Sequence, residues 1–323
     1  MGLKARKIVI IGAGHVGSQC AQLLAVQGLC SEMVLLDTDR PKAYAHAQDL
    51  SDMEPLLPHR VHIYAGGYED CRDAEVAVFC AGREPRVMEK RADAIEPAIR
   101  AADTMVQSLM KSGFEGILFS VSDPCDIVTR YLYERTGLPA ERVIGTGTAV
   151  DTLRLRRILS SKLSLDAHSV HAYVLGEHGE SQMIPWSAVS LGGHRLFELM
   201  RTHPDTYGRL DLTKIASEVR LSARNIIEGK GDILFGISAA LVDMIKAVIY
   251  DEHRILTAST LLRGQYGQQD IFAGIPVVLG RDGVIEAIEM PLTNGEHAEF
   301  VASCEGMRCF FEQQFRHKGG VCA

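Results

Sequence analysis

The sequence predicts an α/β fold: a doubly wound parallel sheet followed by a second half of α+β character. Three observations carry this. Short apolar runs rich in β-branched residues alternate with helical periodicity from residue 7 to residue 121. A Gly-x-Gly-x-x-Gly pattern sits between the first such run and the first helix. Beyond Gly145-Thr-Gly147 the strict alternation ends, which places a boundary between segments 1–146 and 147–323.

Taken in order, Lys7 to Ile11 (KIVII) is a buried strand, and His15 to Gln27 has helical periodicity. Between them, Gly12 makes the turn, Gly14 lets backbone approach a pyrophosphate, and Gly17 lets helix pack on strand. His15 and Val16 open a helix whose N-terminus suits a phosphate. The next strand, Met33 to Leu36, ends at Asp37, twenty residues beyond Gly17. An acidic residue there accepts hydrogen bonds from ribose hydroxyls and repels a 2′-phosphate, which favours NAD over NADP although Arg40 follows. A helix over Lys42 to Met53, a strand near His62 to Ala65 and a buried strand Val76 to Cys80 come next.

Ala81 and Gly82 end that strand, and the polar stretch to Arg91 reads as a loop over the carboxyl ends of the sheet. Ala92 to Lys111 is a long helix with Pro97 in its first turns, and Gly116 to Val121 is a strand closed by a turn at Ser122-Asp123-Pro124. Ala81, Gly82 and Val121 thus border the expected cofactor surface. In the second half, helices are expected over Ala149 to Lys162, Thr213 to Glu228, Phe235 to Tyr250 and from about Glu296. Strands are expected near Val170 to Leu175, Met183 to Leu191, Ile255 to Leu261 and Ile275 to Leu279.

Composition narrows the function. Hydrophobic residues make up 46% and charged residues 23% of 323 positions, which suits a packed globular enzyme. The net charge of −7, with no long run of one sign, argues against nucleic acid as partner. The apolar run after the basic N-terminus is too short for an export signal, no stretch reaches the ~20 residues of a membrane span, and the expected location is cytoplasmic. Eight cysteines without a CxxC pair read as reduced thiols, and no ligand set points to a metal.

The chemistry gathers around Leu175-Gly176-Glu177-His178-Gly179. Imidazole titrates nearest neutral pH, so His178 suits proton exchange with a carbonyl oxygen. Asp151 is the candidate anion to orient it, and Arg154 three residues on presents a planar fork that can grip a carboxylate. The same Asp-x-x-Arg spacing also fits a surface ion pair. Arg91, at the end of the polar loop, would enter the site only on closure. Together these groups suit hydride exchange between a nicotinamide cofactor and a small 2-keto or 2-hydroxy acid.

The motifs GAGHVG with Asp37, the Ala-Gly loop ending in Arg91, VSDPCD, GTGTAVDTLR, GEHG and the late segment from Tyr266 to Asp270 resemble the L-lactate/L-malate dehydrogenase family in order and over almost the whole chain. The resemblance implies a Rossmann domain followed by an α+β substrate domain. It further implies NAD as cofactor and a homotetramer or homodimer. It assigns His178 as proton donor and acceptor, Asp151 as its partner, Arg154 as carboxylate anchor and Arg91 as loop arginine. Glu89 is similar to lactate dehydrogenases, where malate enzymes commonly carry methionine. Several segments are also similar to bacterial 2-hydroxyisocaproate dehydrogenases.

Three positions depart from the family pattern. The specificity position falls on Pro85 beside Arg86: an inward Arg86 would admit a dicarboxylate such as malate, an inward Pro85 an apolar side chain. Ile233 replaces a frequent threonine, again making the pocket apolar. Asp123 replaces the usual asparagine, and an ionised carboxylate only accepts hydrogen bonds and repels a keto acid's charge. The expectation is weakened keto-acid reduction that Asp123→Asn would raise. At the extreme, the chain would be an NAD-binding protein with impaired turnover. Arg156 and His171 match positions where some bacterial members bind fructose 1,6-bisphosphate between subunits, or are ordinary surface residues.

Overall fold

The computed structural model describes residues 6–82 and 91–315, with the side chains of 91–94 left out. Its first half is the expected alternation: β1 (Lys7–Ile11), α1 (His15–Val26), β2 (Glu32–Leu36), α2 (Arg40–Ser51), β3 (His62–Ala65), β4 (Val76–Phe79), α3 (Arg91–Lys111) and β5 (Ile117–Ser120). Then come α4 (Cys125–Thr136) and β6 (Val143–Gly145). These strands run parallel in the order β3-β2-β1-β4-β5-β6, with β1 near the middle. Period-two alternation explains why both faces are covered. Ile8 and Ile10 pack into one apolar cluster, Val9 and Ile11 into another, and no β1 residue is solvated.

The second half begins with α5 (Ala149–Leu163), β7 (Val170–His171), β8 (Ser190–Leu191) and β9 (His194–Arg195), followed by α6 (Leu196–Thr202), α7 (Pro204–Tyr207), α8 (Leu212–Lys230) and α9 (Phe235–Ile249). It ends with β10 (Arg254–Arg263), β11 (Gln269–Gly280), β12 (Gly283–Ala287) and α10 (Asn294–Phe315). β10, β11 and β12 pair antiparallel, and β10 also pairs β6 at Ser259 and Gly145. One nine-stranded sheet therefore runs through both halves. α1 and α9 pack on each other, so the dinucleotide-type half and the second half share an apolar seam.

Two expected strands come out shorter. Val170 to Leu175 keeps strand pairing only in β7, and Met183 to Leu191 only in β8, with one isolated antiparallel bridge between Leu175 and Met183. Gly176 at φ +88° turns the chain after that bridge, and Pro185 precedes a tight turn over Trp186–Ala188. Not foreseen were α4, β6, α6, α7, β9 and β12. β6 has three residues and β9 two, too few for a period to show. α4 carries charged and apolar residues buried nearly all round, so no polar stripe marks it. No helix among the described residues is long and apolar enough to cross a membrane.

Candidate active site

The glycine motif folds as its spacing requires. Gly12 has φ +106°, and a Cβ there would lie 2.8 Å from the Ala81 nitrogen. A Cβ on Gly17 would fall 2.0 Å from the Gly12 carbonyl oxygen, so turn and helix can meet only through glycines. Around Gly14 nothing stands within 4 Å of a Cβ position, leaving open space at the N-terminus of α1. Open space, unpaired helix N–H groups and their dipole suit a pyrophosphate. Asp37 ends β2 half-buried, its Oδ2 accepting from Ala13 N at 2.9 Å and its Oδ1 from Asp39 N at 3.0 Å. That ties the acidic residue to the glycine turn. His15 is exposed and its Nδ1 lies 2.5 Å from Asp232 Oδ2, while Val16 is half-buried and accepts at its carbonyl from Ser238 Oγ. Ala81 and Gly82 stand beside Ser122, whose Oγ donates to Ala81 O at 2.6 Å. Val121, half-buried, completes this edge.

His178 lies on the loop that the Leu175–Met183 bridge closes, at the carboxyl side of the same sheet. Its Nδ1 is 2.5 Å from Asp151 Oδ2, and Arg154 Nη1 donates to Asp151 Oδ1 at 2.8 Å. Asp151 and Arg154 are buried in the first turns of α5, where a carboxylate complements the helix dipole. Gln182, with its amide nitrogen turned inward, donates to both Asp151 oxygens at 3.3 and 3.2 Å. Burial alone would push the Asp151 carboxyl up. The charge and hydrogen bond of His178, then those of Arg154, outweigh it and hold the group below its ordinary value. Asp151 is therefore a carboxylate able to hold an imidazolium.

Helix and loop are tied at one residue. Thr148 Oγ1 donates to Val174 O at 2.6 Å, and Val174 N donates to Thr152 Oγ1 at 3.0 Å. Gly176 exchanges two backbone hydrogen bonds with Gly274 of β11, at 2.9 and 2.8 Å.

Three residues the sequence reading missed complete the loop's support. His178 N donates to Asp126 Oδ2 at 2.8 Å, and Ser259 Oγ donates to Asp126 Oδ1 at 2.5 Å. Burial pushes the Asp126 carboxyl up to about 6, the two hydrogen bonds offsetting only part of that. Ser303 of α10 accepts from Glu177 N at 3.0 Å and meets Ser181 Oγ at 2.9 Å. The second aspartate of VSDPCD, inside a quoted motif, was the one signal for this layer.

Asp123 Oδ1 stands 3.9 Å from His178 Nε2, with the side chain 38% exposed. Ile233 is half-buried between α8 and α9. Arg156 donates to Ala172 O at 3.0 Å and stacks 5.2 Å from the Tyr173 ring, while His171 is exposed. Pro85, Arg86 and Glu89 lie outside the described residues, as does the side chain of Arg91. Among the described residues no group of three His, Cys, Asp or Glu could hold a metal ion.

Comparison with known proteins gives the family. Residues 6–145 match the model of the lactate/malate dehydrogenase NAD binding domain, and residues 148–316 that of the lactate/malate dehydrogenase alpha/beta C-terminal domain. L-lactate dehydrogenase 3 of Bacillus anthracis is 38% identical over 307 residues, covering 95% of this chain and 97% of that one. The L-lactate dehydrogenase of Fusobacterium nucleatum is 38% identical over 310 residues, covering 96% and 97%. Among solved structures, the minor L-lactate dehydrogenase from Enterococcus mundtii in its ligands-bound form superposes with a TM-score of 0.92 at 35% identity, covering 97% of this chain and 99% of that one. The chain belongs to the lactate/malate dehydrogenase family, a family of NAD-dependent oxidoreductases.

Proposed function

We propose that this protein interconverts a small L-2-hydroxy acid and its 2-keto acid with NAD, and that lactate and pyruvate are the pair. The observation that carries the reading is the Asp151 carboxylate, which bridges His178 Nδ1 at 2.5 Å and Arg154 at 2.8 Å. That bridge holds a proton-exchanging imidazole and a carboxylate-binding fork in fixed relation. NAD, when bound, supplies the hydride acceptor at C2 of the acid. The space over Gly14, the α1 N-terminus and Asp37 fit its pyrophosphate and adenosine ribose.

The chain's own residues do the rest. Arg154 has further N–H donors beyond the one on Asp151 and binds the substrate carboxylate through them. His178, held as imidazolium by Asp151, points Nε2–H at the C2 oxygen, polarises a carbonyl there and hands over its proton on reduction. Roles for Arg91 and for Pro85 or Arg86 toward the substrate belong to this proposal on the family resemblance alone. The relatives' names, all L-lactate dehydrogenases, favour pyruvate over oxaloacetate. NADH oxidation with pyruvate, oxaloacetate and 2-ketoisocaproate side by side tests this. Fastest turnover with oxaloacetate would assign malate, with 2-ketoisocaproate a hydroxyisocaproate-type enzyme, and none with any of the three would leave an NAD-binding protein with impaired turnover.

Finer parts of the same proposal are a division at residues 146/147, a homotetramer or homodimer, and a cytoplasmic location. A sugar bisphosphate effector at Arg156 and His171 would have to draw Arg156 off the Ala172 carbonyl. A fall in keto-acid KM on adding fructose 1,6-bisphosphate is its test, and an unchanged KM removes it.

A further inference from the structure

Two carboxylates stand on one imidazole. Asp151 meets Nδ1 of His178 at 2.5 Å, and Asp123 approaches Nε2 from the opposite side at 3.9 Å. They differ in setting: Asp151 is buried, neutralised by Arg154 and bonded by Gln182, while Asp123 is 38% exposed at the head of α4. The Asp123–His178 separation is too long for a direct hydrogen bond, which wants ~2.7–3.2 Å. One oxygen atom ~2.8 Å from each, with an angle of roughly 90° at that oxygen, fits between them. Under the function proposed above, on which this inference rests, that oxygen is the one on C2 of the substrate.

We propose that Asp123 selects the oxidation level of the substrate, so that the site binds the 2-hydroxy acid in preference to the 2-keto acid. The reason is the hydrogen inventory. A carboxylate only accepts, and the imidazolium Nε2–H only donates. A hydroxyl oxygen satisfies both, accepting from His178 while donating its own hydrogen to Asp123. A keto oxygen accepts from His178 and has nothing for Asp123, so two electron-rich oxygens are pressed together. A site built to hydrogen-bond a hydroxyl rejects the analogue lacking it by up to ~10⁴–10⁵-fold when sealed from water. Exposure of Asp123 lets water relieve part of that, and a preference of roughly ten- to a hundredfold is expected. Among the described residues, the other charged groups at His178 do not distinguish the two ligands, since Asp151 lies on Nδ1, Asp126 on its backbone nitrogen and Arg154 behind Asp151.

Binding without turnover tests this. Calorimetry gives the Kd of L-lactate and the Kd of oxamate, the amide isostere of a 2-keto acid, each in the presence of NADH, with which neither can react. The wild type and Asp123→Asn are compared, with Asp123→Ser as a second variant and a melting curve for each. Asn offers an N–H to a keto oxygen, so oxamate should bind at least tenfold tighter to Asp123→Asn while lactate gains nothing. The ratio of the two constants should move at least tenfold. A ratio unchanged within threefold in both folded variants overturns the inference and leaves the proposed function standing. Failure of all three proteins to bind either acid, with the cofactor bound, overturns both.

Discussion

Asp126→Asn should make the protein more heat-stable at alkaline pH, by a predictable amount. The Asp126 carboxyl sits at about 6, against an ordinary value of 3.8, because it is buried between α4, β10 and the His178 loop. A group whose pKa is raised on folding adds stability that is complete below the unfolded pKa and lost as pH rises through the folded one. For Asp126 that loss runs from about pH 4 to just above pH 6. At about 1.4 kcal/mol per pKa unit, the full penalty is roughly 3 kcal/mol at pH 8 and about 1 kcal/mol at pH 4.5. Asparagine keeps an acceptor for His178 N and turns an N–H toward Ser259, so both contacts survive without the charge. Over 323 residues at ~2 cal/mol/K each, 3 kcal/mol corresponds to roughly 4 °C in Tm. Wild type and variant should be melted at pH 4.5 and pH 8 at one scan rate. The variant's advantage should widen by about 3 °C between the two. An advantage that is equal at both pH values, or that shrinks, would refute the account of Asp126 as a strained buried carboxylate.

Arg154→Lys should raise the 2-hydroxy-acid and 2-keto-acid KM about a hundredfold, since a point charge replaces a fork on Asp151 and substrate; NADH affinity by fluorescence titration should not change. Gly176→Ala should lower both kcat and Tm, because a Cβ at φ +88° would lie 2.7 Å from Ser303 Oγ, at a cost of about 1–3 kcal/mol. Normal kinetics in that variant would show that the loop tolerates displacement. Asp37→Ser should weaken NADH binding about tenfold and narrow the gap to NADPH, read as the ratio of the two dissociation constants.

The sheet was legible because its strands obey local rules. β4 and β1 after Lys7 are continuous apolar runs, as a strand buried on both faces must be, and the glycine spacing fixed the turn between β1 and α1. His178, Asp151 and Arg154 were legible as residue types with suitable chemistry. Their pairing was named from chemistry and resemblance and not from spacing, because 27 positions separate Asp151 from His178 and only folding brings Nδ1 to 2.5 Å. The support behind the loop was less visible still. Ser259 and Ser303 lie inside an ordinary strand and helix, where a serine carries no periodic or motif signal. β6 and β9 were too short to announce themselves, and α4 has no solvated stripe to mark its faces.

The hydrogen bond from Glu177 N to Ser303 has a bearing on how the enzyme comes into being. During synthesis the sheet from β1 to β6 can assemble long before α10 emerges, since domains fold as the chain is made. The proton-exchanging loop, already tied to Asp126 and Gly274, gains its last fastening only when the helix carrying Ser303 docks. A nascent chain would thus complete its nucleotide grip before the last support of its catalytic loop is in place.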